Sequence, residues 1–366
     1  MAGSGFGTNF RITTWGETHG AGVGVVVDGC PAGLPLERED VQKYLDRRKP
    51  GQSKYTTQRK EGDQVEILSG IFEGRTTGTP ISMVVYNKDQ RSKDYSNIKD
   101  IYRPGHADFT FDMKYGFRDY RGGGRSSGRE TIGRVAAGAV AAKVLKELGI
   151  EIKAYAKAIA GIEVSKDHFD LAEMNNNPFN MPDKEAAKLV QEKADQMIKE
   201  MDSIGGIIEC QITGMPVGIG ETVFDKLDAE LSKAIMSIGS VKGFEIGDGF
   251  EAANLRGSEN NDDFICVDGK VAKETNHSGG VLGGMSDGST IVFRAAIKPT
   301  PSIAQTQKTV NRDFDNVEIE IHGRHDPMIV PRAVVVVESM AAVTILDGVL
   351  KNLGATMDNI KKIYGE

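Results

Sequence analysis

Short apolar runs alternate along this chain with longer segments in which apolar residues recur at helical spacing. The short runs, several of them rich in β-branched residues, predict β-strands over residues 23–27, 65–68, 81–86, 207–212, 290–297 and 317–321. The periodic segments predict α-helices over residues 38–47, 130–148, 184–201 and 227–238. Because strands and helices interleave without a regular βαβ repeat, the pattern favours a mixed α/β or α+β fold with layered sheets over a Rossmann domain or a barrel.

The C-terminal pattern fits two kinds of element. Residues 334–337 are consecutive valines, which have high strand propensity. Pro331, followed by Met340, Leu346 and Leu350, instead suits a buried helix that begins at a proline. Of the two, we predict the helix.

No part of the chain has the composition of an interdomain linker. Gly and Ser are scattered, and no run of like charges or low-complexity sequence interrupts the chain. The segment between Asn175 and Asp183, with two prolines and four asparagines, predicts an exposed loop rather than a domain boundary. We therefore expect a single domain over residues 1–366.

Composition indicates a folded protein outside the membrane. Unbroken apolar stretches such as residues 334–337 and 340–343 are far shorter than a membrane span of about 20 residues, so we expect no integral membrane protein. The N-terminus has neither a basic start nor an apolar stretch, and we expect no secretory signal and a cytoplasmic location. Cys30, Cys210 and Cys266 are widely separated, which favours small buried apolar residues over a disulfide or a zinc site.

The charge distribution points to a small anionic ligand. The formal net charge of −7 argues against a general nucleic-acid binder. Residues 43–60 nevertheless hold seven basic residues against one acidic, and residues 91–134 hold ten against six. Such positive islands suggest a small polyanion, although solvated surface charge gives the same pattern.

Two histidines lie in glycine-flanked segments that suit proton transfer near neutral pH. His19 lies in GETHG, residues 16–20, and His106 lies in RPGHAD, residues 103–108. A lone histidine is more often structural, so neither segment decides the function alone. Both lie near the basic islands, which strengthens the case for a site.

The strongest local signal is RGGGRSSGRET, residues 121–131, which runs into a predicted helix. Ser127 and Glu130 have the spacing of a capping box. A helix N-terminus presents unpaired amides and partial positive charge, and glycines let a ligand approach them, so the segment suits a phosphate. It lacks the Gly-Lys-Ser/Thr ending of a P-loop, which disfavours an ATPase.

Residues 322–327, HGRHDP, place two imidazoles, a guanidinium and a carboxylate close together. Zinc held by His322, His325 and Asp326 is conceivable, but no other His or Cys cluster supplies a further ligand, so an ion pair is favoured. Residues 298–302, KPTPS, follow a predicted strand and add a cation and hydroxyl groups.

Together, the segments GETHG, RPGHAD, GRSSGRET and GRHDP resemble the chorismate synthase family in order, spacing and residue type. The resemblance runs from Phe10 to about Leu350. It implies a layered β-α-β sandwich assembled as a homotetramer, and a carbon–oxygen lyase that acts on phosphates. Such enzymes convert 5-enolpyruvylshikimate 3-phosphate to chorismate and phosphate by 1,4-anti elimination, the last common step of the shikimate pathway. The cofactor is reduced FMN, and NADPH reduces the flavin directly or through an external reductase; FAD and NADP are also associated with the family.

The resemblance also implies roles for individual residues. His19 would act as general acid at the departing phosphate, His106 would lie at the flavin ring and help set its protonation state, and Asp326 would help the flavin N5 take the substrate proton. The implied flavin-binding residues are Arg125, Ser126, Ser127, Gly239, Ser240, Gly283, Lys298, Pro299, Thr300, Pro301, Ser302 and Arg324. The implied residues for substrate anions are Arg48, Lys54, Arg103 and Arg129, of which the first two are also NADPH positions.

Three positions depart from the common family pattern. Gly239-Ser240 stands where many relatives have Asn-Ala, so a flavin contact there would depend on the backbone. Lys54 replaces a common Arg and keeps the charge without the bidentate geometry. Thr18 replaces a frequent Ser and keeps the hydroxyl.

Two other classes of function remain open on the residues alone. A flavin-dependent oxidoreductase that consumes NADPH would also need a phosphate site, basic residues and histidines. An RNA-binding module built on residues 121–129 would resemble glycine-arginine tracts, but the chain has one such copy, inside a predicted fold. Hydride stoichiometry separates the first from a lyase, and salt-dependent oligonucleotide binding would reveal the second.

Overall fold

The computed structural model describes residues 3–56, 61–88, 99–321 and 326–365. The strands are β1 Gly5–Phe6, β2 Arg11–Gly16, β3 Gly22–Asp28, β4 Val65–Ile67, β5 Ile71–Phe72, β6 Arg75–Thr76, β7 Ile81–Tyr86, β8 Glu151–Ile159, β9 Ile162–Glu163, β10 Gly206–Thr213, β11 Val241–Ile246, β12 Phe264–Val267, β13 Lys270–Lys273, β14 Val281–Leu282, β15 Met285–Ser286, β16 Ile291–Ile297, β17 Thr306–Val310 and β18 Asn316–Glu320. The helices are α1 Arg38–Arg48, α2 Asp108–Tyr115, α3 Thr131–Glu147, α4 Lys184–Lys199, α5 Leu227–Met236, α6 Gly257–Asn260, α7 Val330–Asn352 and α8 Met357–Tyr364.

Two five-stranded antiparallel sheets enclose a layer of helices. The first sheet has the order β1-β2-β3-β7-β4, and the second has the order β11-β16-β10-β8-β9. Helix α3 packs on β2, β3 and β7 of the first sheet, α7 packs on β8 and β10 of the second, and the two helices pack on each other. This arrangement confirms the expected layered β-α-β sandwich.

The six predicted strands and four predicted helices are all confirmed, with ends that move by at most two residues. The C-terminal helix is confirmed as α7, which has a proline in its first turn. By length and composition this helix could cross a membrane, although its unbroken apolar runs are short. Its most apolar window is 83% buried inside the protein, because α7 lies between α3 and the second sheet.

A close approach between α3 and α7 holds the helical layer together. A Cβ atom added to Gly138 on α3 would lie only 2.5 Å from the Cα atom of Ser339 on α7. The missing side chain therefore lets the two backbones touch. The apolar core formed by the described residues is continuous from the first sheet through this layer to the second.

Two expectations about exposure are wrong. The segment between Asn175 and Asp183 is a turn, but Phe179 and Met181 are fully buried. The turn folds inward because Phe179 packs against the ring of Tyr55, a contact between residues distant in sequence. Cys266 is exposed on the two-stranded β12–β13 sheet, whereas Cys30 and Cys210 are buried as expected.

Candidate functional site

His19 lies in the turn between β2 and β3, against the glycine-rich segment. The turn closes with a hydrogen bond from the Gly20 amide to the Glu17 carbonyl. Both ring nitrogens of His19 are buried, and a Cβ atom added to Gly122 would lie 2.7 Å from His19 Cδ2. Glycine at position 122 therefore lets the chain pass directly over the imidazole.

The start of α3 differs from the expected phosphate cradle. The helix begins at Thr131, and residues 124–126 and 128–130 form two short 3₁₀ turns. Ser127 accepts from the Arg129 amide at 3.3 Å, whereas Glu130 bonds Arg134 on α3 rather than completing a capping box. The amides of residues 126, 127 and 130 donate to backbone carbonyls. Because 3₁₀ bonds satisfy these amides, the expected array of unpaired donors is largely absent from this segment.

Arg125 joins the glycine-rich segment to the end of β2. Its guanidinium donates to the carbonyl of Gly16 at 3.1 Å, to the carbonyl of Thr14 at 3.1 Å and to Thr14 Oγ1 at 2.6 Å. These bonds occupy three of its five N–H donors. The side chain keeps 27% of its surface exposed, so it retains donors for an anion outside the fold.

Arg48 and Arg129 share one buried carboxylate. Arg48 Nη1 lies 2.6 Å from Asp63 Oδ2, and Arg129 Nη1 lies 2.9 Å from Asp63 Oδ1. Arg129 also donates to Asn87 Oδ1 at 2.6 Å, while Glu61 accepts from its third nitrogen at 3.3 Å. Burial lowers the pKa of Arg48 to about 10, an effect that Asp63 opposes. Both arginines are thus fixed in place by carboxylates of the chain itself.

Asp326 reaches this cluster through Arg332. Arg332 donates through Nε to the Arg48 carbonyl at 3.1 Å and through Nη1 to Asp326 Oδ2 at 2.9 Å. The structure therefore brings Asp326 next to Arg48, 278 positions earlier in the sequence. Arg324, like His322 and His325, lies outside the described residues.

His106 forms the centre of a second group. Its Nδ1 lies 2.9 Å from the Pro104 carbonyl, which can only accept, so Nδ1 carries the proton. Nε2 then accepts from Ser302 Oγ at 2.9 Å. Burial, together with the charge of Arg103, lowers the pKa of His106 from 6.5 to about 4. The imidazole is consequently neutral at physiological pH.

The 298–302 segment packs directly on the loop that carries His106. Lys298 Nζ donates to the Gly105 carbonyl at 3.2 Å, and Gly105 adopts a φ of 69° against Pro301. Arg103 forms a buried bidentate pair with Asp108 at 2.8 Å, which closes the loop. In this structure Arg103 shapes the loop; its contact with substrate stays a prediction.

Backbone contacts connect the two groups. Ser203 Oγ donates to the Thr300 carbonyl at 2.7 Å, and the next amide, that of Ile204, donates to the Pro327 carbonyl at 3.0 Å. The 298–302 segment beside His106 is therefore connected through Ser203 and Ile204 to Pro327, the residue after Asp326.

The segment between Arg118 and Gly122 makes a second connection. Arg118 pairs with Asp112 at 2.6 Å on α2, directly after the His106 loop, and Gly122 contacts His19. Four residues span at most about 14 Å. Both histidine loops are consequently anchored to one short piece of chain.

The remaining implied flavin residues lie at two separate locations in the fold. The Ser240 carbonyl accepts from the Lys298 amide at 2.9 Å, so Gly239-Ser240 adjoins the 298–302 segment. Gly283 instead lies at the β14–β15 turn, where the neighbouring Gly284 contacts the start of α5. Ser240 follows the end of α5, so Gly283 and Ser240 lie near opposite ends of a helix about 15 Å long.

Lys54 also points away from the cluster. It pairs with Asp195 on α4 at 2.8 Å, and its side chain is 63% exposed. The flanking residues Ser53 and Thr56 line an open polar cavity together with Arg332. The segment therefore borders the site, whereas the Lys54 side chain does not enter it.

Sequence reasoning missed the residues that join these motifs. Asp63 and Asn87 lie in stretches without a recognisable motif, and Arg332 lies in the predicted C-terminal helix without any sign of a functional role. The one available signal was position, because Asn87 is a polar residue directly after a buried strand. No group of three or more His, Cys, Asp or Glu that could hold a metal ion occurs among the described residues.

Comparison with known proteins gives a consistent result. A family model described as chorismate synthase matches residues 10–350. The chain is 68% identical to a protein named chorismate synthase from Lachnospira eligens, with full coverage of both chains. It is 65% identical to one of the same name from Agathobacter rectalis, with 100% of this chain and 99% of that protein covered. A solved structure titled as a crystal structure of chorismate synthase superposes with a TM-score of 0.77 at 30% identity and covers 98% of this chain and 96% of that one.

Proposed function

Because the chain belongs to the chorismate synthase family, we propose that its reaction takes place where the His19 turn, the buried arginines and Asp326 meet. The enzyme is a lyase that converts 5-enolpyruvylshikimate 3-phosphate to chorismate and phosphate. This reaction is the last common step of the shikimate pathway. The assignment of residues and of the flavin is our proposal.

One observation carries the location of the site. An unbroken path of hydrogen bonds and ion pairs runs from the His19 turn to Asp326, and its members are Asn87, Arg129, Asp63, Arg48 and Arg332. Two of its arginines and the shared carboxylate are buried, where charges interact more strongly than in water. Fixed guanidinium groups of this kind stabilise the negative charge that develops as phosphate departs.

The residues near the two histidines suit reduced FMN. Arg125 retains free donors, and the Thr300 hydroxyl is buried without a partner among the described residues, which leaves a polar atom for a ligand. We assign FMN binding to Arg125, Ser126, Ser127, Gly239, Ser240 and residues 298–302, with Arg324 and Gly283 as further candidates. The bound flavin would supply transient electron density for the elimination.

The histidines have different proposed roles. His19 would hold a proton for the departing phosphate, because the arginine path begins at its turn. His106 would remain neutral and keep Ser302 oriented, since Nε2 accepts from the serine hydroxyl. Asp326 would assist removal of the substrate proton, and Arg332 orients its carboxylate. Arg48 and Arg129 would hold the substrate anions.

We propose that reduced FMN reaches the enzyme from an external reductase that uses NADPH. Arg48 is paired with Asp63 and Lys54 with Asp195, so the two implied NADPH positions are held by different carboxylates of this chain rather than by one shared anion site. Anaerobic mixing of the enzyme with FMN and NADPH checks this. Bleaching of the flavin absorbance by the enzyme alone would contradict it.

We also propose a homotetramer in the cytoplasm, free of membrane and nucleic acid. Large apolar side chains such as Phe224, at 87% exposure, and Phe250, at 81%, support burial against another subunit. A second chain could also bring Gly283 near the other flavin residues. Light scattering should give four times the chain mass; a monomer at assay concentration would contradict the assembly.

The decisive experiment measures phosphate release from 5-enolpyruvylshikimate 3-phosphate anaerobically, with and without reduced FMN. We expect release only with catalytic reduced FMN, and no stoichiometric nicotinamide oxidation. His19→Ala, His106→Ala and Asp326→Ala should each lower turnover strongly in folded protein. Arg125→Ala should instead weaken FMN binding. Near-normal turnover in a variant would remove that residue from the mechanism.

A further inference from the structure

Asn87 holds the His19 turn and Arg129 at the same time. It directly follows β7, and its backbone amide extends the sheet by donating to the Ala21 carbonyl at 3.0 Å. Its side-chain Nδ2 donates to the carbonyls of Glu17 and Gly20, each at 2.9 Å. These two carbonyls are the ends of the turn that carries His19.

The other end of the same carboxamide faces a cation. Asn87 Oδ1 accepts from Arg129 Nε at 2.6 Å. A guanidinium can only donate and a backbone carbonyl can only accept, so the partners fix which side-chain atom is oxygen and which is nitrogen. Asparagine is matched to this position, because one planar group offers an acceptor to the arginine and two donors to the turn.

We propose that Asn87 is a positioning residue, which fixes His19 relative to Arg129 so that the proton donor and the anion-binding guanidinium act on one substrate. This inference rests on the proposed function of His19 and Arg129. Asn87 itself need not touch the substrate. The backbone of Asn87 is hydrogen-bonded to the first sheet, so the residue holds both His19 and Arg129 in a fixed position relative to that sheet.

Aspartate at this position separates the two contacts. In Asn87→Asp an oxygen still faces Arg129, but an oxygen also replaces the donor to the turn, so both bonds to the turn are lost. We expect kcat to fall by about tenfold to a hundredfold with KM close to the parent value, because a displacement of about 1 Å is costly to catalysis. In Asn87→Ala the contact with Arg129 is lost as well, and KM should also rise.

Asn177→Asp is the matched control. Asn177 Nδ2 likewise donates to two backbone carbonyls of a turn, those of Glu173 and Met181, at 2.7 and 2.8 Å. The control loses the same kind of bonds and should lose similar stability. Its kcat should remain close to that of the parent.

A double-mutant cycle distinguishes positioning from general damage. If Asn87 acts through His19, then Asn87→Asp should cost little further activity in the His19→Ala background. Multiplicative losses in the double variant would overturn the proposal. An inactive parent enzyme, or a fully active His19→Ala variant, would instead show that the proposed function of the site is wrong.

A measurement that does not depend on enzyme activity tests the positioning of His19 directly. In protein labelled with ¹³C-histidine, the signal of His19 is identified by its loss in His19→Ala. Asn87→Asp should shift the His19 signal and leave the His106 signal unchanged, whereas Asn177→Asp should shift neither. An unmoved His19 signal in Asn87→Asp would overturn the positioning role.

Discussion

One methyl group added at Gly122 tests whether the position of His19 matters for turnover. An alanine Cβ there would lie 2.7 Å from Cδ2 and 3.0 Å from Nε2 of the imidazole. Carbon atoms in ordinary contact lie about 3.5–4.0 Å apart, so the ring has to move by roughly 1 Å. The backbone at Gly122 is not in the left-handed region, and alanine therefore fits without dihedral strain.

The size of the effect follows from that displacement. A misplacement of about 1 Å lowers catalysis by about 10²-fold, which corresponds to about 2.7 kcal/mol in activation free energy. The fold should survive, because the atoms that must move belong to the end of a side chain. We expect the free energy of unfolding to fall by about 1 kcal/mol, at the low end for overpacking.

The assay is anaerobic phosphate release at saturating substrate with reduced FMN, together with the affinity of the variant for FMN. Gly257→Ala is the control, because an added Cβ there meets no atom within 4 Å. We expect Gly122→Ala to lose turnover while the control keeps it. A Gly122→Ala enzyme with the turnover of the parent would refute the reasoning, since the imidazole would then be displaced without consequence.

Three further predictions concern stability, measured by urea unfolding. His106 has a pKa of about 4 in the folded chain. Its contribution to the free energy of unfolding is therefore complete above the unfolded pKa of about 6.5 and is lost as the pH falls towards 4. His106→Asn should flatten the dependence of the free energy of unfolding on pH in that window, and an unchanged slope would contradict the low pKa. Asp63→Asn should lower the free energy of unfolding by about 3–5 kcal/mol, because it leaves two buried guanidinium groups poorly paired. The control Asp46→Asn removes an exposed ion pair, in which the aspartate side chain is 43% exposed, and should lower it by less than about 1 kcal/mol. Equal losses in the two variants would contradict the buried-pair argument. Gly138→Ala should cost about 1–3 kcal/mol by pushing α3 from α7, and Ser339→Gly in the same chain should recover part of the loss; no recovery would place the strain elsewhere.

Local patterns were enough to predict the regular elements of this fold. β3 and β7 are apolar runs that lie against the helical layer, and α7 has a proline in its first turn, so strand and helix signals agree with their packing. The turn at 175–183 shows the limit of this reasoning. Its prolines and asparagines predict a turn, but only the distant ring of Tyr55 decides that Phe179 points inward.

For the candidate site as well, sequence patterns identify some residues and miss others. His19 and His106 lie in short motifs, which sequence reasoning can find. Asp63 cannot be found so easily, because it meets Arg129 across 66 positions of sequence and belongs to no motif. Capping was mispredicted for a different reason. The spacing of Ser127 and Glu130 suits a capping box, but the preceding turns are 3₁₀ and the glutamate is drawn to Arg134.

In the proposed site, the pairing of Arg48 and Arg129 with one carboxylate explains how an acidic protein would present fixed positive groups to an anion. A free surface arginine has to lose side-chain freedom when a ligand binds, and that loss weakens the interaction. Here Asp63 holds both guanidinium groups in place before any ligand arrives, so the ordering cost is incurred during folding. The carboxylate reduces the net charge of the group, but it leaves oriented N–H donors in a buried environment, and preorganised donors of this kind stabilise charge that develops in a transition state.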